Sequence, residues 1–166
     1  MRIRPVAPAD VPALAALHVR CWRGAYEGLV PAEALARFDP DEHAARWAAR
    51  LAERRPGRTE LLAEDGGGPV GFVNYGDQRG EGGGGEIYAI YVDPERWGTG
   101  AGHALMTRAL EDLRGRGVSP VRLWALDGNE RARRFYLRHG FSEDGESSVY
   151  DFFGAELDVV RYTFDG

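Results

Sequence analysis

Residues 86–115 constrain the fold of this chain more than any other stretch. Glu86-Ile87-Tyr88-Ala89-Ile90-Tyr91-Val92 is rich in β-branched and aromatic residues and stops at Asp93-Pro94, which predicts a strand. Glycines follow at 98, 100 and 102, and a helix is predicted from about 100 to 115. Glycines let the backbone turn tightly and approach a ligand closely. The helix start adds amides without helical partners and the positive end of a dipole. Such a turn can hold phosphate with main-chain groups alone. A glycine-rich turn without a ligand is the alternative that these residues leave open.

The main-chain route matters because all 21 basic residues are arginine. Without lysine, a lysine-bearing phosphate loop and a lysine Schiff base are excluded. The spacing Gly-x-Gly-x-Gly also differs from the dinucleotide fingerprint, and no acidic residue ends a following strand in the expected place. The rest of the composition narrows the class. With 166 residues the chain is expected to form one domain over 1–166, burying about two-thirds of its unfolded surface. A net charge of −5 argues against a general nucleic-acid binder. The lone Cys21 excludes an intrachain disulfide and a cysteine-pair zinc site, and no metal is expected. No apolar run is long enough for a membrane span, and no apolar segment follows Met1–Pro5 as a signal peptide requires. The expected location is the bacterial cytoplasm.

Strand–helix patterning surrounds the central segment. A strand is predicted over Arg2–Val6. A helix capped by Asp10 follows, with Val11, Leu14, Leu17 and Cys21 on one face, running to about Gly24. A second helix starts at Asp39 or Asp41 and stops at Pro56-Gly57. Thr59–Glu64 and Val70–Gly76 form a hairpin around Asp65-Gly66-Gly67-Gly68. Residues 80–85 form a flexible glycine loop. Val121–Leu126 is a strand, Asn129–His139 a helix closed by Gly140, and two strands follow near 145–151 and 157–164. The order β-α-α-β-β-β-α-β-α-β-β predicts an α/β (α+β) architecture. Its single mixed, mostly antiparallel sheet has about seven strands, with a central parallel pair and about four flanking helices.

The second informative segment is Asn129-Glu130-Arg131-Ala132-Arg133-Arg134-Phe135-Tyr136-Leu137-Arg138-His139-Gly140-Phe141. This segment and the glycine turn, in this order and about 30 residues apart, resemble the GCN5-related N-acetyltransferase (GNAT) superfamily. The resemblance covers nearly the whole chain. It implies an enzyme that moves acetyl from acetyl-CoA to an amine without a metal. Ile90, Tyr91 and Val92 would hold the acetyl carbonyl and the pantetheine arm. Trp97, Gly98, Thr99, Gly100, Ala101, Gly102 and His103 would cradle the pyrophosphate. Asn129 would bond the pantetheine or the loop through its amide. Tyr136 would protonate the departing thiolate, a role that suits a phenol. The family's loop often begins with Arg or Gln where this chain has Trp97, and Arg96 is the neighbour that could compensate. Arg131, Arg133 and Arg134 are candidates for the CoA 3′-phosphate, set against a solvated helix face.

Glu86 is the candidate base, because comparable acidic residues serve in some family members; bulk solvent is the alternative. Tyr88 is expected on the same strand face as Glu86 and Ile90, lining the acceptor pocket. Trp22 and Tyr26 lie four apart on one helical face and either wall that pocket or pack under the sheet. Cys21 reads as a small buried hydrophobe. Ribosomal-protein N-terminal acetyltransferases carry a catalytic glutamate where this chain has Trp124, so a small-molecule primary amine is favoured over a protein N-terminus. The competing function is a catalytically silent acetyl-CoA or acyl-CoA sensor. No nucleic-acid or membrane partner is expected, and a homodimer is the family's common state.

Overall fold

The computed structural model describes residues 1–53 and 55–166. Twelve elements follow in chain order: β1 (Arg2–Pro5), α1 (Val11–Tyr26), α2 (Ala32–Ala36), α3 (Pro40–Glu53), β2 (Arg58–Asp65), β3 (Gly68–Asp77), β4 (Gly85–Val92), α4 (Ala101–Gly115), β5 (Val121–Leu126), α5 (Glu130–Arg138), β6 (Ser142–Phe152) and β7 (Ala155–Phe164). The seven strands form one sheet in the order β1-β2-β3-β4-β5-β7-β6. Only β4 and β5 run parallel, joined by the α4 crossover.

The expected strand order along the chain and the longer helices hold, with local corrections. The short α2 lies in a stretch the sequence marks only by Gly28 and Pro31. α1 continues past Gly24 to Tyr26, and β6 is longer than predicted, because pairing with β7 extends it to Ser142. Asp10 does not cap α1 through its side chain. Its carboxylate instead accepts from the Ala7 N–H at 2.8 Å and from Arg4 at 2.7 and 2.9 Å. Asp39, not Asp41, starts α3, since it accepts from the N–H groups of Asp41 and Glu42. The expected end of that helix, between Leu51 and Pro56, spans residue 54, which lies outside the described residues.

Each sheet face is covered by a different set of helices. On one face Leu105, Met106, Ala109 and Leu113 of α4 and Tyr136 of α5 pack on Val73, Tyr75, Ile87, Leu123 and Tyr162. On the other, Leu14, Leu17 and Cys21 of α1 and Trp47 of α3 pack on Leu62 and Phe72. β4 changes phase between the two. Asn74 pairs with Ala89 but Tyr75 pairs with Ile87, so Tyr88 is an extra residue, a β-bulge. Ile87, Ile90 and Val92 therefore pack on the α4 face, while Ala89 and Tyr91 pack on the α1 face. Glu86 and Ile90 consequently lie on opposite faces. The expectation that they share one assumed unbroken alternation.

Candidate active site

The bulge also decides where the sheet opens. β4 and β5 pair only over Gly85–Ile87 and Val121–Leu123. Beyond that they part, because a bulged strand bends and twists more than its neighbour. The gap is a cleft lined by Tyr88, Ala89, Ile90 and Tyr91 of β4, Leu123, Trp124, Ala125 and Leu126 of β5, and Tyr26, Asn129, Ala132 and Tyr136. Splayed strands leave main-chain N–H and C=O groups of β4 unpaired toward the cleft, ready for an extended ligand.

The glycine turn lies at the start of α4. Gly100 has φ +90°, a left-handed conformation that a side chain would strain. Gly102 is needed for closeness, since a Cβ there would lie 3.3 Å from the Phe135 ring of α5. The helix begins at Ala101, so the amides of Ala101, Gly102 and His103 have no helical carbonyl to bond. Gly98 turns with φ +78° just before them. Thr99 is exposed, and its N–H and hydroxyl are both taken, donating to the Arg96 carbonyl at 3.3 and 2.7 Å. The Trp97 indole N–H donates to the Val92 carbonyl at 2.9 Å and ties the turn to the end of β4. The Arg131 guanidinium lies 3.4 Å from the centre of the Trp97 ring. Arg96 is paired with Asp65 at 3.0 Å, so the cation beside the turn is Arg131. Arg133 is engaged by Glu130 and Glu143, whereas Arg134 is exposed on α5. His103 bonds His139 across α4 and α5 at 3.0 Å.

Asn129 and Tyr136 are brought to the same cleft by α5. The Asn129 Oδ1 accepts the Ala132 N–H at 3.1 Å as the helix cap, which leaves its Nδ2 free to donate. Tyr136 is 9% exposed. Burial, then the nearby Tyr26 and Tyr162, raises its phenol pKa, so the proton stays on at neutral pH. Tyr26 and Tyr91 share a hydrogen bond of 3.0 Å at the cleft wall. Burial pushes Tyr26 up to about 12 and Tyr91 well above the ordinary phenol value.

The remaining candidates are placed differently. Glu86 is 3% exposed and does not line the cleft. It accepts from the Arg79 N–H at 3.0 Å, Nε at 3.1 Å and Nη2 at 2.5 Å, so both carboxylate oxygens are occupied. Tyr88 lines the cleft, but its hydroxyl donates to the Asp77 carbonyl and its ring sits between Arg58 and Arg79. Trp22 packs away from the cleft, stacked on Phe152 with centroids 4.3 Å apart, while Tyr26 faces it. Cys21 is buried, which pushes its thiol up to about 12. Among the described residues no group of three His, Cys, Asp or Glu side chains could hold a metal, and no helix is long and apolar enough to cross a membrane.

The model of the Acetyltransferase (GNAT) family matches residues 13–141, which contain the cleft, the glycine turn and α5. The chain belongs to this family. This GNAT chain is 32% identical over 130 residues to the uncharacterized N-acetyltransferase YuaI of Bacillus subtilis, covering 76% of this chain and 72% of that protein. Its fold matches a GCN5-related N-acetyltransferase from Rhodopseudomonas palustris with a TM-score of 0.80 at 23% identity, over 99% of this chain and 95% of the other. It also matches a PaiA N-acetyltransferase from Thermoplasma acidophilum solved with coenzyme A, with a TM-score of 0.73 at 19% identity, over 99% and 98%.

Sequence reasoning about this GNAT chain missed a histidine pair beneath Tyr91. The Trp22 indole can only donate, and it donates to His18 Nε2 at 2.9 Å. His18 therefore carries its proton on Nδ1, which donates to His43 Nε2 at 2.6 Å. This arrangement requires both rings to be neutral. Burial, then His43 and Arg50, holds His18 well below the usual imidazole value; burial, then Arg46 and Arg50, brings His43 down to about 4. In the unfolded chain both titrate near 6.5. As pH falls through 6.5 the unfolded state takes up protons first, so stability drops between about pH 6.5 and 4. Urea unfolding at pH 7 and pH 4.5 should show a loss of about 2.5 kcal/mol for each ring kept neutral, so up to roughly 5 kcal/mol from the pair, less at the half-buried His43 where solvent screens the effect. His43→Gln should roughly halve that difference, since His18 stays buried; an unchanged slope would remove the pair as its source.

Proposed function

We propose that this chain transfers acetyl from acetyl-CoA directly to the primary amine of a small molecule. The observation that carries this reading is the splayed β4–β5 cleft, with Tyr136 buried in its wall and the glycine turn at the start of α4. In this reading the pantetheine arm pairs with the backbone of Ile90–Val92, apart from the Val92 carbonyl that Trp97 occupies, and Asn129 Nδ2 donates to it. The pyrophosphate lies on the amides of Gly98 and Gly100–His103, with Arg131 beside it on Trp97 and Arg134 near the 3′-phosphate.

The neutral amine attacks the thioester carbon, and a β4 N–H stabilises the tetrahedral oxyanion. The C–S bond then breaks, and Tyr136 donates its proton to the thiolate. Its raised pKa does not defeat the step, because the same desolvation raises the basicity of a thiolate leaving into the cleft. The amine loses its extra proton to water. Glu86 can assist only through water, since Arg79 occupies both its oxygens.

Acetyl-CoA at 100 times its Kd should stabilise the chain by about 2.7 kcal/mol, a melting shift of roughly 5–10 °C. Free thiol should appear when an amine panel is added. No shift with acetyl-CoA, CoA or other acyl-CoA thioesters would sink this reading. A shift without thiol release on a broad panel would move the assignment to an acyl-CoA sensor.

A further inference from the structure

The helices on the α1 face do not cover the whole sheet. Val121, Leu123 and Ala125 of β5 and Val160, Tyr162 and Phe164 of β7 pack toward α4. Alternation therefore puts Arg122, Trp124, Arg161 and Thr163 on the opposite face. Trp124 is 36% exposed in mid-strand, so no helix closes over it. It also lines the acetyl cleft, so the uncovered strip and the cleft are continuous.

The charges on this strip do not cancel. Its cations are Arg79, Arg122 and Arg161, and its carboxylates are Glu86 and Asp144. Glu86 is taken by Arg79. Asp144 is taken by Arg161 at 2.7 Å and by the Thr163 hydroxyl at 2.6 Å. Arg122 stands beside Glu86 in the β4–β5 register but makes no ion pair with it, or with any other carboxylate, among the described residues. Its Nη1 bonds only neutral acceptors, the Gln78 side-chain oxygen and the Gly83 carbonyl, and its Nε is buried without a partner. A half-buried guanidinium with an unpartnered N–H and no ion pair favours an incoming anion. The arrangement is notable in a chain of net charge −5.

We infer that the acceptor is a primary amine that also carries a single carboxylate, held at Arg122 while its apolar body lies on Trp124. This inference rests on the transferase reading above. One uncompensated positive charge matches a monoanion, whereas a phosphate dianion would need a second. Arg122 lies two residues from Trp124, roughly 7 Å along the strand. That separation suits a dipeptide or an ω-amino acid, whose amine and carboxylate are well apart, over an α-amino acid.

The test compares kcat/KM for dipeptides and ω-amino acids with their carboxamides, and includes an aminoalkyl phosphate. The acids should exceed their amides at least tenfold. Arg122→Gln should bring each pair within twofold, through KM for the acid, and Arg122→Lys should keep part of the preference. The KM for acetyl-CoA should be unchanged in both. Arg122 also holds the glycine loop, so Arg161→Gln, which releases Asp144 into the strip, serves as a second variant and should lower the preference in the same way. Equal use of acids and amides, a preference that survives these changes, preference for the phosphate, or no turnover of any carboxylated amine would each overturn the inference. Loss of the acetyl-CoA melting shift would instead mark failure of the transferase reading.

Discussion

Tyr136→Phe should lower kcat by about 10²-fold while acetyl-CoA affinity stays within twofold. The change removes one oxygen and little volume from a side chain that is 9% exposed, so the packing against Phe135, Phe141 and Tyr162 survives. On the proposed mechanism, what disappears is the proton for the departing thiolate. Without it the sulfur leaves as an anion into a cleft walled by Ile90, Leu123, Ala125 and Leu126, where desolvation is expensive. The measurement is single-turnover thiol release beside a direct acetyl-CoA binding titration. A variant that turns over at the wild-type rate would remove Tyr136 from the acid role. A variant that loses acetyl-CoA affinity in parallel would make it a packing residue of the binding site.

The second large effect concerns stability. Trp47→Ala should destabilise the chain by about 3–5 kcal/mol, a large part of the 5–15 kcal/mol that holds a domain together. Trp47 is fully buried and packs edge-on against His18, His43 and Phe72. Its removal leaves a cavity between α3 and the sheet. It also takes away the indole N–H that donates to Glu60 at 3.0 Å, on a carboxylate that Arg50 and Arg58 share. Urea denaturation would measure the loss. Trp47→Phe should recover more than half of it by refilling the space, with the remainder due to the lost donor. If the two variants were equally unstable, the Glu60 hydrogen bond rather than the cavity would carry the effect.

Much of the site was legible because it is local chemistry. A strand, three glycines and a helix start lie within about twenty residues, and their backbone preferences need no distant partner. The same holds for Asn129 and Tyr136, which one short helix places together. Glu86 shows the opposite case. Its residue type and its place on β4 made it a base candidate, yet its availability depends on Arg79, which folds back from the loop after β3. Trp97 likewise departs from the family pattern in sequence. The cation that lies on its ring is Arg131 of α5, while its neighbour Arg96 is held by Asp65. The neutral His18–His43 pair joins two helices 25 residues apart and left no periodic signal.

By itself the sequence determined the order of the strands and of the helices other than α2, the parallel crossover from β4 to β5 and the glycine turn at the start of α4 in a lysine-free chain. Each follows from short-range backbone preference and from residue types present or absent. Only the tertiary structure decided that β7 inserts between β5 and β6, and that an extra residue at Tyr88 reverses the faces of β4. It also decided that β4 and β5 part beyond Ile87 and Leu123 to open the cleft. These are matters of strand pairing, and register depends on which hydrogen bonds and side-chain faces can be satisfied together across the sheet, which no segment can settle alone.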